Sequence, residues 1–399
     1  MGIDSIKEKA VAAKEIISEH ANKLAASAGD FVENRIGERI EGSPLEAPIL
    51  EGEPYEMIWY KLPISGASAG DGSDFHIYVK KGRSENLCIY FSGGGVAWNE
   101  KMASLPVTGG RVAAWKPNYY WNNLRPFTQV MNINVGITDN RDINPFYDWN
   151  FAVITYATGD FHLGSNVYSY SDDEGEAQKI CFVGHDNFRL SMDRVKELFP
   201  TPTKLLISGE SAGAFAAPAL APEVIDDYYP DCEEITLFSD SALLKRAGWK
   251  ETIENMWHAP KAISDVVYTD NITADWYEHI SKKYGDRVKC LYASSTHDYL
   301  LSAFINEERS GEYFTDEATQ NEYAASLADM CERMAGFSHN MHFFIYNYRM
   351  PLIFGRGGTI HTAVRSPHFF IPNTGGITMA DWLFDAVGGN MYDVGTELV

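Results

Sequence analysis

Positive charge is scarce in this chain. Over 399 residues, 33 lysines and arginines stand against 55 aspartates and glutamates, a formal net charge of −22. An acidic surface repels phosphate backbones, so nucleic acid is excluded as an expected partner, and polyanions are repelled at long range. Cysteine is sparse as well. Cys88, Cys181, Cys232, Cys290 and Cys331 are odd in number and show neither close pairing nor metal-ligand spacing. They imply no disulfide framework and no metal site, which fits a reducing compartment. Long apolar runs are also missing. No stretch approaches the length of a membrane span, and "MGIDSIKEKAVAAKEIISEHANKLAASAG" carries charges every few residues where a signal peptide would have an apolar core. The expectation is a soluble cytoplasmic protein, or a secreted one if a leader has been removed. No internal repeat and no low-complexity tract is present.

What is there is a long alternation. Residues 1–45 read as an amphipathic helix and a Pro/Gly/Glu-rich linker, and residues 46–399 as one catalytic domain. Strand-like runs follow one another: "YEMIWYKL", "DFHIYVK", "NLCIYFS", "FAVITYA", "KLLIS", "EITLFSD", "VKCLYASS" and "HFFIYNY". Helical patterns lie between them, over 173–198, 211–227, 273–284, 316–335 and 378–388. Strands alternating with helices predict an α/β domain with a mainly parallel central sheet flanked by helices. The stretch 100–148 is long, aromatic and without period, as functional or cap-forming loops are.

One segment changes character halfway. "KLLISGESAGAFAAPALAP" starts as a buried strand, passes through Gly209-Glu210-Ser211-Ala212-Gly213 and leaves as a helix of small residues. So tight a strand-to-helix turn strains its central residue and brings backbones too close for side chains at the flanks, which glycine permits. Ser211 would then stand above the sheet edge as a nucleophile. Upstream, "IYFSGGGVAWN" runs a buried strand into Gly93-Gly94-Gly95. No Lys-Ser/Thr pair follows, which excludes a phosphate-binding P-loop. With the elbow present, the glycines are expected to form an oxyanion hole around Gly94 and Gly95, together with the N–H of Ala212.

A base and an acid must complete the site. Asp298, just past "VKCLYASS", stands where α/β sheets keep their active groups, and Asp240 at the end of "EITLFSD" is its rival. His297 reads as a bystander. Among eleven histidines, His361 lies in the glycine-rich "FGRGGTIH" after the last strand, with His368 as the alternative. Ser211, Asp298, His361 is the chain order of α/β-hydrolase triads.

"FSGGGVAWN", "NPFYDWNFAVITYATGDFHLG", "ISGESAGAFAAP", "LFSDSALL", "STHDY" and "GTIHTAVRSPHFF" occur in the order found in the pectin acetylesterase family, which also includes the carboxylesterase Notum. The chain resembles that family from about residue 50 to about residue 390. The resemblance implies an α/β-hydrolase-like fold with Ser211 as nucleophile, Asp298 as acid and His361 as base. It implies an oxyanion-hole region of Gly94, Gly95, Val96 and Ala212, and a structural role for Asp240. Cysteines that family members commonly carry are replaced here by Val96-Ala97 and Ala157.

Together these readings predict a serine carboxylesterase that removes acetyl or other short acyl groups, needs no metal or organic cofactor, and takes a small-molecule or oligosaccharide ester as its substrate. The alternatives are a lipid or long-chain acyl esterase with the same triad, the aromatic stretch 115–127 lining its pocket, and an inert binding module of the same fold. Arg356 and Arg365, close to the proposed base, are the residues that would form a local basic pocket.

Overall fold

The computed structural model describes Arg35 and residues 46–113, 116–171, 175–350 and 357–399. Apart from Arg35, the helix and linker expected over 1–45 lie outside the described residues. The start of the expected catalytic domain is tied to the sheet: Leu50 donates its N–H to the Lys61 carbonyl and Lys61 donates to Pro48, so residues 48–50 pair with the first strand.

The strands are β1 (Trp59–Ser68), β2 (Asp74–Lys80), β3 (Leu87–Phe91), β4 (Asn150–Ile154), β5 (Asn166–Ser171), β6 (Ala177–Phe182), β7 (Lys204–Glu210), β8 (Glu234–Asp240), β9 (Val288–Ser295) and β10 (Met341–Tyr346). Eight of them form one sheet in the order β1-β2-β4-β3-β7-β8-β9-β10. β1, β2 and β4 pair antiparallel, and from β4 to β10 every pairing is parallel. The longer helices are α1 (Gly184–Leu198), α2 (Ala212–Glu223), α3 (Ile272–Tyr284), α4 (Tyr299–Ser310), α5 (Glu317–Ala335) and α6 (Met379–Val387). The expected α/β fold, hydrolase-like with a mostly parallel sheet, is the fold observed.

The strands read as unbroken apolar runs because both faces of the sheet are covered. In β3, Leu87, Ile89 and Phe91 join one core, which also holds Phe188 of α1, Phe215 of α2 and Trp276 of α3. Cys88 and Tyr90 turn to the other, which is closed by Trp382 and Leu383 of α6. α2 lies at the centre, with every residue from Ala212 to Ala221 buried. Pro218 inside it has no N–H to give the carbonyl of Ala214, and Ser239 Oγ of β8 donates to that oxygen at 2.8 Å instead.

Two elements depart from expectation. Residues 173–182 were expected to begin a helix, but 177–182 form β6, which pairs with β5 in a separate antiparallel hairpin, and the helix starts at Gly184. α4 is a helix to which no helical pattern was assigned. All five cysteines are free thiols, four of them buried. No helix among the described residues is long and apolar enough to cross a membrane.

Candidate active site

The carboxyl ends of β3, β7, β8 and β9 meet at one edge of the sheet, as the pairings Phe91 with Gly209, Glu210 with Asp240 and Asp240 with Ala293 fix. Ser211 follows β7 at φ 54 and ψ −124, a region that side chains other than glycine rarely enter. The flanking glycines show why the turn closes. A Cβ on Gly209 would lie 2.1 Å from the Gly213 carbonyl oxygen, and one on Gly213 would lie 2.0 Å from that of Phe91. The elbow is held from the next strand, since Ser211 donates its N–H to the Asp240 carbonyl at 2.9 Å.

Asp298 follows β9 and is fully buried. It is both the helix cap and the partner of the histidine. Its Oδ1 accepts the N–H groups of Leu300 and Leu301, both at 2.9 Å, which caps α4, and its Oδ2 meets His361 Nδ1 at 2.6 Å. Burial disfavours the charged imidazole, but Asp298, with Glu210 and Asp240 behind it, outweighs burial and raises the His361 pKa above its ordinary value. His361 Nε2 is buried without a hydrogen-bond partner. Ser211 and His361 line the same cleft, of about 300 Å3, with Gly93, Gly94, Gly95 and Arg365. Aromatic and apolar side chains close it, among them Trp121, Met131, Phe304 and Tyr313. The larger cleft, of about 780 Å3, borders the β5–β6 hairpin and contains none of these groups.

The rivals lie elsewhere. Asp240 makes no hydrogen bond to a histidine among the described residues. Its Oδ2 accepts the N–H groups of Ala363 and Val364 at 2.7 and 2.8 Å, and its Oδ1 accepts the hydroxyls of Tyr346 and Ser241. His368 packs against Tyr348 and bonds Ser366, and His297 Nδ1 bonds the Thr296 hydroxyl. Arg356 lies outside the described residues.

The glycine loop is oriented peptide by peptide. The Ser92 carbonyl accepts from His162 Nε2 at 2.9 Å, and the Gly93 N–H donates to Glu210 Oε1 at 2.5 Å. The Gly94 carbonyl accepts from Trp121 N–H at 2.8 Å, and the Gly95 carbonyl accepts from the Tyr156 hydroxyl at 2.8 Å. Gly95 is at φ +83, and a Cβ there would lie 1.8 Å from the Tyr119 carbonyl. No described residue accepts the N–H of Gly94, Gly95 or Ala212. Val96 is different. It was expected to belong to the oxyanion-hole region, but its N–H donates to the Tyr119 carbonyl at 2.9 Å and is not available to an oxyanion.

Sequence reasoning did not single out the groups that hold this loop: His162, Tyr156 and Glu210. The signal for the first two was the "TYATGDFHLG" block, where Asp160, buried and accepting from Thr158, His162, Gly164 and Gly184, folds a turn in which Phe161 and His162 both take positive φ. Among the described residues no group of three or more His, Cys, Asp or Glu side chains could hold a metal ion.

No protein of curated function matches the chain. A model of the pectinacetylesterase family matches residues 57–335, a span that includes Ser211 and Asp298 and ends before His361. With more than half of its length matched, the chain belongs to the pectinacetylesterase family, a family of carboxylic ester hydrolases.

Proposed function

We propose that the protein is a serine esterase that hydrolyses short O-acyl esters, acetyl above all, of carbohydrates or similar neutral alcohols. Ser211 Oγ attacks the ester carbonyl carbon and passes its proton to His361 Nε2. Asp298 holds the Nδ1–H tautomer and balances the positive charge that forms on the ring. The carbonyl oxygen becomes an oxyanion, which the N–H groups of Gly94, Gly95 and Ala212 are free to receive; one such donor is worth about 3 kcal/mol of the barrier. The tetrahedral intermediate collapses, and the leaving alkoxide takes the proton from His361. Water, deprotonated by His361, then attacks the acyl-enzyme, and as the acyl–oxygen bond breaks His361 returns the proton to Ser211 Oγ and acetate leaves.

The observation that carries this reading is the His361–Asp298 contact at 2.6 Å with the opposite ring nitrogen left unpartnered at the cleft that Ser211 lines. Ser211→Ala should abolish turnover of p-nitrophenyl acetate, and fluorophosphonate labelling with it, while the fold is retained. Wild-type rates in a folded Ser211→Ala variant would refute the mechanism. Failure of the wild-type enzyme to take the label would favour the inert binding module.

The aromatic and apolar lining favours one further reading, an esterase of longer acyl chains. A series of nitrophenyl esters separates the two: a maximum at acetate supports the deacetylase, and a rise through longer chains supports the alternative.

A further inference from the structure

Glu210, next to the elbow serine, is fully buried, and one of its carboxylate oxygens serves two partners. Oε1 accepts the Gly93 N–H at 2.5 Å, and the same oxygen meets Arg365 Nη1 at 2.8 Å. Gly93 opens the glycine loop, and Arg365 lies four residues beyond His361. The approach is close, since a Cβ on Gly93 would fall 2.6 Å from Ser211 Cβ and 2.8 Å from Glu210 Oε2. A buried ion pair is a poor stabiliser, because desolvating both charges offsets most of their attraction. Stability alone therefore does not account for a carboxylate in this place.

We propose that Glu210 is a positioning residue: with Arg365 it ties the Gly93–Gly95 loop to the loop carrying His361, so that the oxyanion donors and the base are held in one geometry around Ser211. This rests on the esterase reading above. The carbonyls of Ser92, Gly94 and Gly95 are held by His162, Trp121 and Tyr156, none of which belongs to the segment carrying His361. Glu210 supplies the link across the site. Its charge also acts on His361, whose other charged neighbours are Asp298 at the start of α4, Asp240 at the end of β8 and Arg365 on its own loop. Glu210→Gln leaves Asp298, Asp240 and Arg365 in place, so a change in His361 titration in that variant belongs to Glu210.

The test uses the full chain as wild type, Glu210→Gln, Arg365→Met and the double variant, with p-nitrophenyl acetate turnover and the His361 ring and Gly93–Gly95 amide resonances as readouts. Glu210→Gln keeps an acceptor for Gly93, so kcat should fall by roughly tenfold with KM near wild type, and the His361 inflection should move to lower pH. Arg365→Met leaves a buried carboxylate unpaired and should cost on the order of a hundredfold, comparable to losing one oxyanion donor. The double variant should recover part of that loss, and Arg365→Met should shift the Gly94 and Gly95 amides although Arg365 bonds Glu210 and neither glycine. A lower melting temperature with kcat, inflection and amides all unmoved would make the pair merely structural and overturn the proposal. If the wild type hydrolyses no ester, the esterase reading fails on its own; the amide and ring resonances still decide whether Glu210 couples the two loops.

Discussion

Ser211 and Asp240 are joined through the backbone, the serine donating its N–H to the aspartate carbonyl at 2.9 Å, while the Asp240 carboxylate takes the N–H groups of Ala363 and Val364 just past His361. One residue of β8 thus sets the height of the proposed nucleophile and anchors the loop of the proposed base. Asp240→Asn would turn an amide toward two N–H donors that now meet a charge. Losing charged hydrogen bonds of this kind costs about 3 kcal/mol. A fall in the urea midpoint is expected, together with a lower kcat as the His361 loop loses its anchor. Unchanged values of both would show that the loop holds without Asp240.

Asp298 has two jobs that one substitution can separate. Asparagine caps helices as well as aspartate does, so Asp298→Asn should keep α4 and lose less than about 1 kcal/mol from the cap. The charge beside His361 Nδ1 is lost, and kcat should drop on the order of a thousandfold or more. The pH profile carries its own sign. The base works when Nε2 is neutral, and its pKa is raised, so kcat/KM in the wild type should climb through an inflection above the ordinary 6.5. With Asp298 neutralised, burial dominates and the inflection should move down. Rates measured across pH for both proteins test this, and an inflection at or below 6.5 in the wild type counts against Asp298 as its partner.

Much of the site was legible because a parallel sheet gathers the carboxyl ends of its strands at one edge. Ser211, Asp298 and the glycine loop each follow a strand whose apolar run is plain in the sequence, and a pentapeptide with two crowded glycines marks the elbow. The β5–β6 hairpin was hidden. Asn166–Ser171 alternates between half-buried and exposed, so no apolar run announces it, and the charged stretch before α1 imitates a helix start. α4 escaped for another reason. Asp298 and Gly311 cap its two ends, and the same aspartate stands where a triad acid would, so in the sequence one residue carries two signals. The Glu210–Arg365 pair and the Val96 to Tyr119 bond join residues distant in the chain, and no spacing rule encodes them.

His162 ties the glycine loop to acid stability. Burial lowers its pKa from 6.5 to about 4, despite the Ser92 carbonyl that its Nε2 meets. Between those values the unfolded chain takes up a proton that the folded protein refuses, so stability from this residue is full above pH 6.5 and is lost as pH falls toward 4. The loss amounts to about 3 kcal/mol as an order of magnitude. Asp160, Glu210 and Asp240, whose pKa values are raised, act with the opposite sign, so the comparison must be made against a variant. His162→Gln keeps a donor for Ser92 and removes the titration. Its stability curve from pH 7 to pH 4.5 should slope less steeply downward than that of the wild type, as urea unfolding at each pH will show. Parallel curves would mean that His162 is not held neutral.

The last prediction concerns the charge of the substrate. The chain carries a net charge of −22. Among the described residues, the cation lining the cleft beside His361 is Arg365, which is paired with Glu210 at 2.8 Å. An anionic substrate therefore meets long-range repulsion and no unpaired positive charge at these residues to offset it. Neutral acetylated sugars should be hydrolysed with higher kcat/KM than equally acetylated uronides at low salt. Salt screens exposed charges beyond a Debye length of about 10 Å at 0.1 M, so the gap should narrow as salt is added. A matched neutral and anionic pair assayed across a salt series decides the matter. Faster hydrolysis of the uronide at low salt, declining as salt rises, would show a cation serving the substrate, and Arg365 released from Glu210 would be the first residue to test.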